Sequence, residues 1–453
     1  MIQNELLITP LPERIDLLIL PSWIVPVVPT GTVLEEHALA VHEGRIVGII
    51  TRTQANSIHA TERRELPGHV LIPGLINAHG HAAMSLFRGL ADDLPLMSWL
   101  QEHIWPAEAR WVNEDFVRLG TRLAIAEMLR GGTTCFADMY FYPDVAAEVA
   151  IEAGIRAQLA FPVIDNPIPG AWDSTEAITK GLRLRDEVKH NALISVAFGP
   201  HSPYTVGDTT LSNVRMLADE LDMPVHMHVH ETAGEVSDAL AQSGQRPLQR
   251  LHSLGLLSPR LQAVHMTQIN DEDLRLLGDH GVSVIHCPES NMKLASGICP
   301  VQRLIESGIN VALGTDGAAS NNDLDMFGEM RTASLLAKSS TGSSTALSAH
   351  QALHVATMGG ALALGISEET GSLEVGKSAD IAAIDLSGLV HQPVYHPVSQ
   401  LLYTCNASQV SHVWVAGREK VSVGRLTLPD QDGLLEAVTH WSQQIQQGDE
   451  ENA

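Results

Sequence analysis

The sequence predicts an α/β protein: a (β/α)8 TIM-type barrel carrying a small β-sandwich domain built from both chain ends. Three observations predict it. From Leu71 to about residue 370, apolar strand-like runs alternate with long helical patterns, and the runs number eight. On either side of that stretch the texture is all-β. Imidazoles and carboxylates recur where the apolar runs end, the place where such a barrel keeps its chemistry.

The elements follow in order. Residues 15 to about 65 read as short strands, at 15–20, 38–42 and, after the turn Glu43-Gly44, 45–50. Barrel strands are expected around 71–79, 133–138, 156–163, 193–199, 223–229, 262–266, 282–287 and 310–315. The helix after Asp115 shows the intervening pattern. Phe116, Leu119, Leu123, Ala126 and Leu129 keep helical spacing, and Gly131-Gly132 ends it. The β texture returns at Gly371, with strands expected over 379–385 and 410–415 and a turn at Gly417-Arg418. The expected domains are therefore 1–68 and 371–453 for the β-sandwich and 69–370 for the barrel. The polar tail from Gln443 onward is expected to fray.

Composition excludes several functions. The 453 residues are 44% hydrophobic, enough for a large core. The formal charge is −25, from 28 basic and 53 acidic residues, which argues against nucleic acid or an anionic membrane as partner. Cys135, Cys287, Cys299 and Cys405 form no CxxC pair, as fits a reducing compartment. Glu5, Glu13 and Asp16 interrupt the first twenty residues, so no signal peptide is read there, and no apolar run reaches the ~18 residues of a membrane span. The expectation is a cytoplasmic protein.

The chemistry sits in five places. His79 and His81 are two apart, so on a strand they face the same way and could share one ion. His226, His228 and His230 also alternate on one face. His228 is the better ligand because Glu231 follows three later, a carboxylic acid placed to move protons beside the metal. His226 and His230 read as hydrogen-bonded interior histidines. A lone histidine at an apolar strand end more often packs than reacts, but the convergence of the other strand ends turns His265 toward function. Asp316, after the eighth strand, can bind metal and accept a proton from a bound water. His286 has no spacing partner and reads as structural or supporting. At the fourth strand's end stands His201, not a lysine able to become a bridging carbamate, so one metal is favoured over two.

The order HxH, His-x-x-Glu, His and a late Thr315-Asp316-Gly317 resembles the amidohydrolase superfamily over nearly the whole chain. Within it, the phrases beginning at Pro73-Gly74-Leu75, Ser85-Leu86-Phe87-Arg88-Gly89, Trp105-Pro106-Ala107-Glu108, Gly199-Pro200-His201 and Gly314-Thr315-Asp316 are similar to the 5-methylthioadenosine/S-adenosylhomocysteine deaminases. The resemblance implies one zinc per chain on His79, His81, His228 and Asp316. It implies that Glu231 contacts the adenine and shuttles a proton, and that His265 polarises the attacking water. His201 would bond the purine ring, Glu108 the ribose hydroxyls, and Trp99 would wall the pocket. The substrate would be a small purine nucleoside, and a homodimer is expected by analogy. One departure concerns the loop 165–174, which has no arginine for the amino-acid end of S-adenosylhomocysteine and carries Ile168, Trp172 and two prolines instead. Methylthioadenosine is therefore the better match. Two other readings compete: a different hydrolase on the same barrel, such as an s-triazine chlorohydrolase or guanine deaminase, and a non-catalytic binding barrel. Glu108 argues against the first, since neither substrate offers a diol. The complete set of metal-binding residue types argues against the second.

Overall fold

The computed structural model describes residues 12–428 and 431–450. Eight strands form one sheet in chain order: β1 (Leu75–Gly80), β2 (Thr133–Asp138), β3 (Arg156–Val163), β4 (Ile194–Pro200), β5 (Val225–Val229), β6 (Leu261–His265), β7 (Ser283–His286) and β8 (Val311–Leu313). Every neighbouring pair is parallel. Helices cover the outer face, so these strands are buried on both sides, which is why they read as near-continuous apolar runs. Short polar side chains start the helices. Asn113 accepts from the Phe116 amide at 3.0 Å to open Glu114–Arg130, and Asp173 and Asn270 open Ser174–Val188 and Asp271–His280 in the same way.

The barrel closes where β8 runs out. Gly80 and Asp316 form a parallel bridge, and the Asp316 amide donates to the His79 carbonyl at 3.0 Å. Asn77 and Thr315 reinforce it with two bonds: Thr315 N–H to Asn77 Oδ1 at 3.0 Å and Asn77 Nδ2 to Thr315 Oγ1 at 2.7 Å. Gly314 is needed for the approach, because a Cβ there would lie 2.7 Å from the His79 nitrogen.

Both chain ends build one nine-stranded mixed sheet. Its hinge is the long strand His59–Pro73, parallel to Arg14–Ile24 on one side and antiparallel to Ile381–Asp385 on the other. Leu17, Ile19 and Leu39 share a core with Ile381, Ala383 and Trp414, so neither end buries its apolar face alone. Residues 71–73, expected to begin the first barrel strand, belong to this sheet. Pro73 and Gly74 break the run, and β1 starts at Leu75. The tail expected to fray from Gln443 is instead part of helix Gln431–Glu450. Leu434, Val438, Trp441 and Ile445 form its apolar stripe, and Trp441 packs edge-on against Trp111 and Phe116. Among the described residues no helix is long and apolar enough to cross a membrane.

The barrel and sheet are joined by a buried ion pair. Arg156, at the start of β3, gives Nε to Asp380 Oδ2 at 3.1 Å and Nη1 to the Ala192 carbonyl at 2.9 Å. Asp380 also accepts from the Ala416 amide and the Ser378 hydroxyl. Removing one partner of a buried pair leaves the other charge uncompensated, at a cost of about 3–5 kcal/mol. Arg156→Met should therefore lose stability on that scale in chemical denaturation; a change below 1 kcal/mol, within the ~0.5 kcal/mol spread of ordinary surface substitutions or little above it, would show that the pair does not hold the two parts together.

Candidate active site

The closure seam carries the reactive residues. His79 lies on β1, His81 follows it, and Asp316 faces both across the seam, with Oδ1 3.4 Å from His79 Nε2 and 3.2 Å from His81 Nε2. His228, on β5, places Nε2 3.2 Å from His79 Nε2. Candidate ligand atoms of His79, His81 and Asp316 lie within 4.8 Å of one another, and so do those of His79, His228 and His265. His265 and Asp316 both adopt left-handed backbone, with φ of 74° and 63°. Non-glycine residues hold that conformation only where the surroundings impose it, and such positions cluster at functional sites.

Outer contacts aim each side chain. His81 Nδ1 donates to the Met139 carbonyl at 2.6 Å, and His228 Nδ1 to the His201 carbonyl at 2.8 Å. Both rings therefore present Nε2 to the centre. His79 Nδ1 meets His226 Nε2 at 2.7 Å. Asp316 accepts from the Ser290 hydroxyl at 2.7 Å and the Gly317 amide at 2.8 Å. Burial holds His79 and His228 well below the usual imidazole range, so both keep free lone pairs. Burial also acts to lower His81, but the hydrogen bond and charge of Asp316 outweigh it and lift the ring to about 9. Burial would raise Asp316, yet His79 and His81 hold its carboxyl well below the usual range. His81 and Asp316 on one side of His79 and His228 on the other offer three imidazoles and a carboxylate around His79 Nε2, residue types that suit a divalent cation such as zinc.

A cavity of about 400 Å³ opens from this centre. Glu231 lines it, buried, with Ser296 Oγ 3.3 Å from Oε1 and His265 Nε2 3.8 Å from Oε2. Burial raises its pKa above the usual carboxylate value, while His265 and Ser296 act to lower it. His265 Nδ1 is tied to Asn291 Oδ1 at 2.9 Å. His201 and Trp99 also line the cavity. Burial takes His201 down to about 4, and its Nδ1 lies 3.2 Å from the hydroxyls of both Ser202 and Thr205. Glu108, on helix Trp105–Trp111, faces the same space. Burial pushes it up to about 7, while the neighbouring Tyr140 phenol, which makes no hydrogen bond of good geometry, pulls the other way.

All nine residues expected at the site thus gather around one cavity: eight line it, and His79, the deepest, reaches it through its contacts with Asp316 and His228. His226 and His230 are interior histidines, the latter accepting from the Leu248 amide at 3.1 Å. His286 is buried and does not line the cavity. Trp172 differs from expectation: it is 80% exposed and lines no part of the cavity, whereas Ile168 and the prolines beside it do. Residue order gives the contents of that loop but not its direction. Tyr140, Ser290, Asn291 and Ser296 escaped the sequence reading. Their signal was position, since each follows the end of β2 or β7.

Comparisons with known proteins agree with this geometry. The amidohydrolase family pattern matches residues 70–420. A protein of Saccharophagus degradans named 5-methylthioadenosine/S-adenosylhomocysteine deaminase is 51% identical over 432 residues, 95% of this chain and 97% of its own. One of the same name from Teredinibacter turnerae is 50% identical over 425 residues, covering 94% and 96%. The crystal structure of an adenosine deaminase from Xanthomonas campestris with bound zinc superposes with a TM-score of 0.95 at 50% identity, covering 96% of this chain and all of the other. The chain belongs to the amidohydrolase family and, within it, to the 5-methylthioadenosine/S-adenosylhomocysteine deaminases.

The raised Glu108 pKa has a sign that can be measured. The folded chain holds this proton up to about 7, while an ordinary glutamate releases it near 4.5. The folded state therefore binds more protons between those values, and stability falls as pH rises through that window. Glu108→Gln should remove that part of the slope, so its thermal midpoint should gain on the wild type from pH 4.5 to 7. Parallel pH curves for the two proteins would show that Glu108 does not titrate in that window.

Proposed function

We propose that the chain hydrolytically deaminates an adenine nucleoside at a single zinc held by His79, His81, His228 and Asp316, with 5′-methylthioadenosine the preferred substrate. The observation that carries this reading is the placing of those histidines and Asp316 beside the buried Glu231, with Glu108 across one largely apolar cavity. When bound, zinc supplies the acidity that lets a water give up a proton near neutral pH.

The residues then divide the work. Asp316 takes the proton the water releases as its oxygen bonds to C6 of the ring. Glu231 gives its own proton to N1, so the ring gains no net charge. His265, anchored by Asn291, presents Nε2 to the attacking oxygen and orients it. The C6–N6 bond then breaks. N6 leaves as ammonia with the proton from Asp316, and the proton on the new C6 oxygen returns to Glu231. The product is the inosine-type nucleoside, and both carboxyls end as they began. Glu108 accepts from the ribose diol, His201 bonds the purine, and Trp99 closes the wall. The test is incubation of zinc-loaded protein with 5′-methylthioadenosine, reading ammonia and 5′-methylthioinosine in equal amounts. Absence of turnover with any adenine nucleoside would overturn the reading.

Glu231→Gln keeps the shape and removes the proton that N1 needs. It should retain zinc and lose kcat by ~10²-fold or more. Near-normal kcat in a zinc-replete variant would place the proton donor elsewhere.

Substrate choice follows from the cavity wall. Among the described residues no lysine or arginine lines it, while Pro167, Ile168 and Pro169 do. Arg88, the cation that could have met an amino-acid tail, is held by both carboxylate oxygens of Glu127 and by the Asn322 carbonyl at 2.9 Å. Burying the homocysteine carboxylate without a partner is costly, whereas a methylthio group suits an apolar wall. 5′-Methylthioadenosine should exceed S-adenosylhomocysteine in kcat/KM by at least tenfold, or ~1.4 kcal/mol. Equal efficiencies measured side by side at one pH would refute this preference.

A further inference from the structure

We propose that His226, Gln262 and Gln158 form a one-way hydrogen-bond chain that fixes which nitrogen of His79 carries its proton, so that the Nε2 lone pair faces the metal position. The inference rests on reading His79 as a zinc ligand and assigns three positioning residues behind it.

His79 is unlike the other two imidazoles. His81 and His228 each give Nδ1–H to a backbone carbonyl, an acceptor that leaves no choice of tautomer. His79 Nδ1 meets a second imidazole, His226 Nε2, at 2.7 Å. Taken alone that contact is ambiguous, because either ring could donate.

Two carbonyls beyond it remove the ambiguity. Ala363 and Leu364 stand at the C-terminal end of helix Met358–Ala363, where carbonyls lack partners within the helix. Gln158 Nε2 donates to the Leu364 carbonyl at 3.1 Å, which turns Gln158 Oε1 toward Gln262. Gln262 Nε2 donates to the Ala363 carbonyl at 2.9 Å and to Gln158 Oε1 at 2.8 Å, using both of its amide hydrogens. Gln262 Oε1 therefore faces His226 Nδ1, at 2.6 Å, and must accept. His226 carries its proton on Nδ1. All four side chains are fully buried, at 0–2% exposure, so His226 is neutral and its Nε2 is a bare lone pair. That lone pair accepts from His79 Nδ1–H. His79 Nε2 is left unprotonated, beside Asp316 Oδ1 and His228 Nε2. The chain crosses the barrel interior through β1, β5, β6 and β3, and carries the polarity of a helix end to the centre.

The experiment measures zinc affinity by competition with a chromogenic chelator, with circular dichroism as the check on folding. His226→Leu and Gln262→Leu should each weaken zinc by about 10- to 100-fold, the usual cost of losing such a support. His226→Gln offers an amide oxygen to His79 and an N–H to Gln262, and should hold zinc nearly as the wild type does. Gln158→Leu should cost less than Gln262→Leu, since the Ala363 carbonyl still orients Gln262. A folded Gln262→Leu or His226→Leu protein with wild-type zinc affinity would overturn the proposal. So would a His226→Gln protein as weak as His226→Leu, and this pair decides the matter if Gln262→Leu fails to fold. A wild-type chain without zinc affinity would instead overturn the ligand reading itself, and this inference with it.

Discussion

The seam between β1 and the segment after β8 is the contact on which the site depends. Asn77 and Thr315 are 238 positions apart, yet two hydrogen bonds join them, and the adjoining Asp316 amide bonds the His79 carbonyl. The same contact closes the barrel and sets a carboxylate opposite two imidazoles. Opening the seam would separate Asp316 from His79 and His81. The left-handed backbone at Asp316 is held by this closure.

Burial does the second part of the work, and it acts in opposite directions on the two kinds of group. It strips protons from imidazoles and keeps them on carboxyls. His79 and His228 are thereby left as neutral donors, and Glu231 is shifted toward its protonated form. Asp316 escapes because two imidazoles face it at 3.2–3.4 Å. Two carboxyls in one cavity are thus pushed in opposite directions, the condition that favours one accepting while the other donates.

Much of this was legible in residue order. The eight strand positions came from apolar runs bounded by turns, and the ends of the runs marked where chemistry belongs. The gathering of His79, His81, His228, His265 and Asp316 followed from strand periodicity once the barrel was assumed. The misread places have local causes. The first barrel strand was started too early because apolar residues continue across Pro73-Gly74. The tail beyond Gln443 was read as frayed because its glutamines hid a stripe formed by Leu434, Val438, Trp441 and Ile445.

The sequence by itself determined the fold class and the residue types at each strand end. These depend on spacing within a few residues, where side-chain direction is set by the strand or helix period. Tertiary structure alone decided that Trp172 points to solvent, that Arg88 is engaged by Glu127, and that Tyr140 and Ser296 stand in the site. It alone decided which nitrogen of His79 faces the centre, through bonds that reach Ala363 and Leu364. The physical reason is range. Desolvation and hydrogen-bond direction depend on partners far away in the chain, and no local pattern specifies those partners.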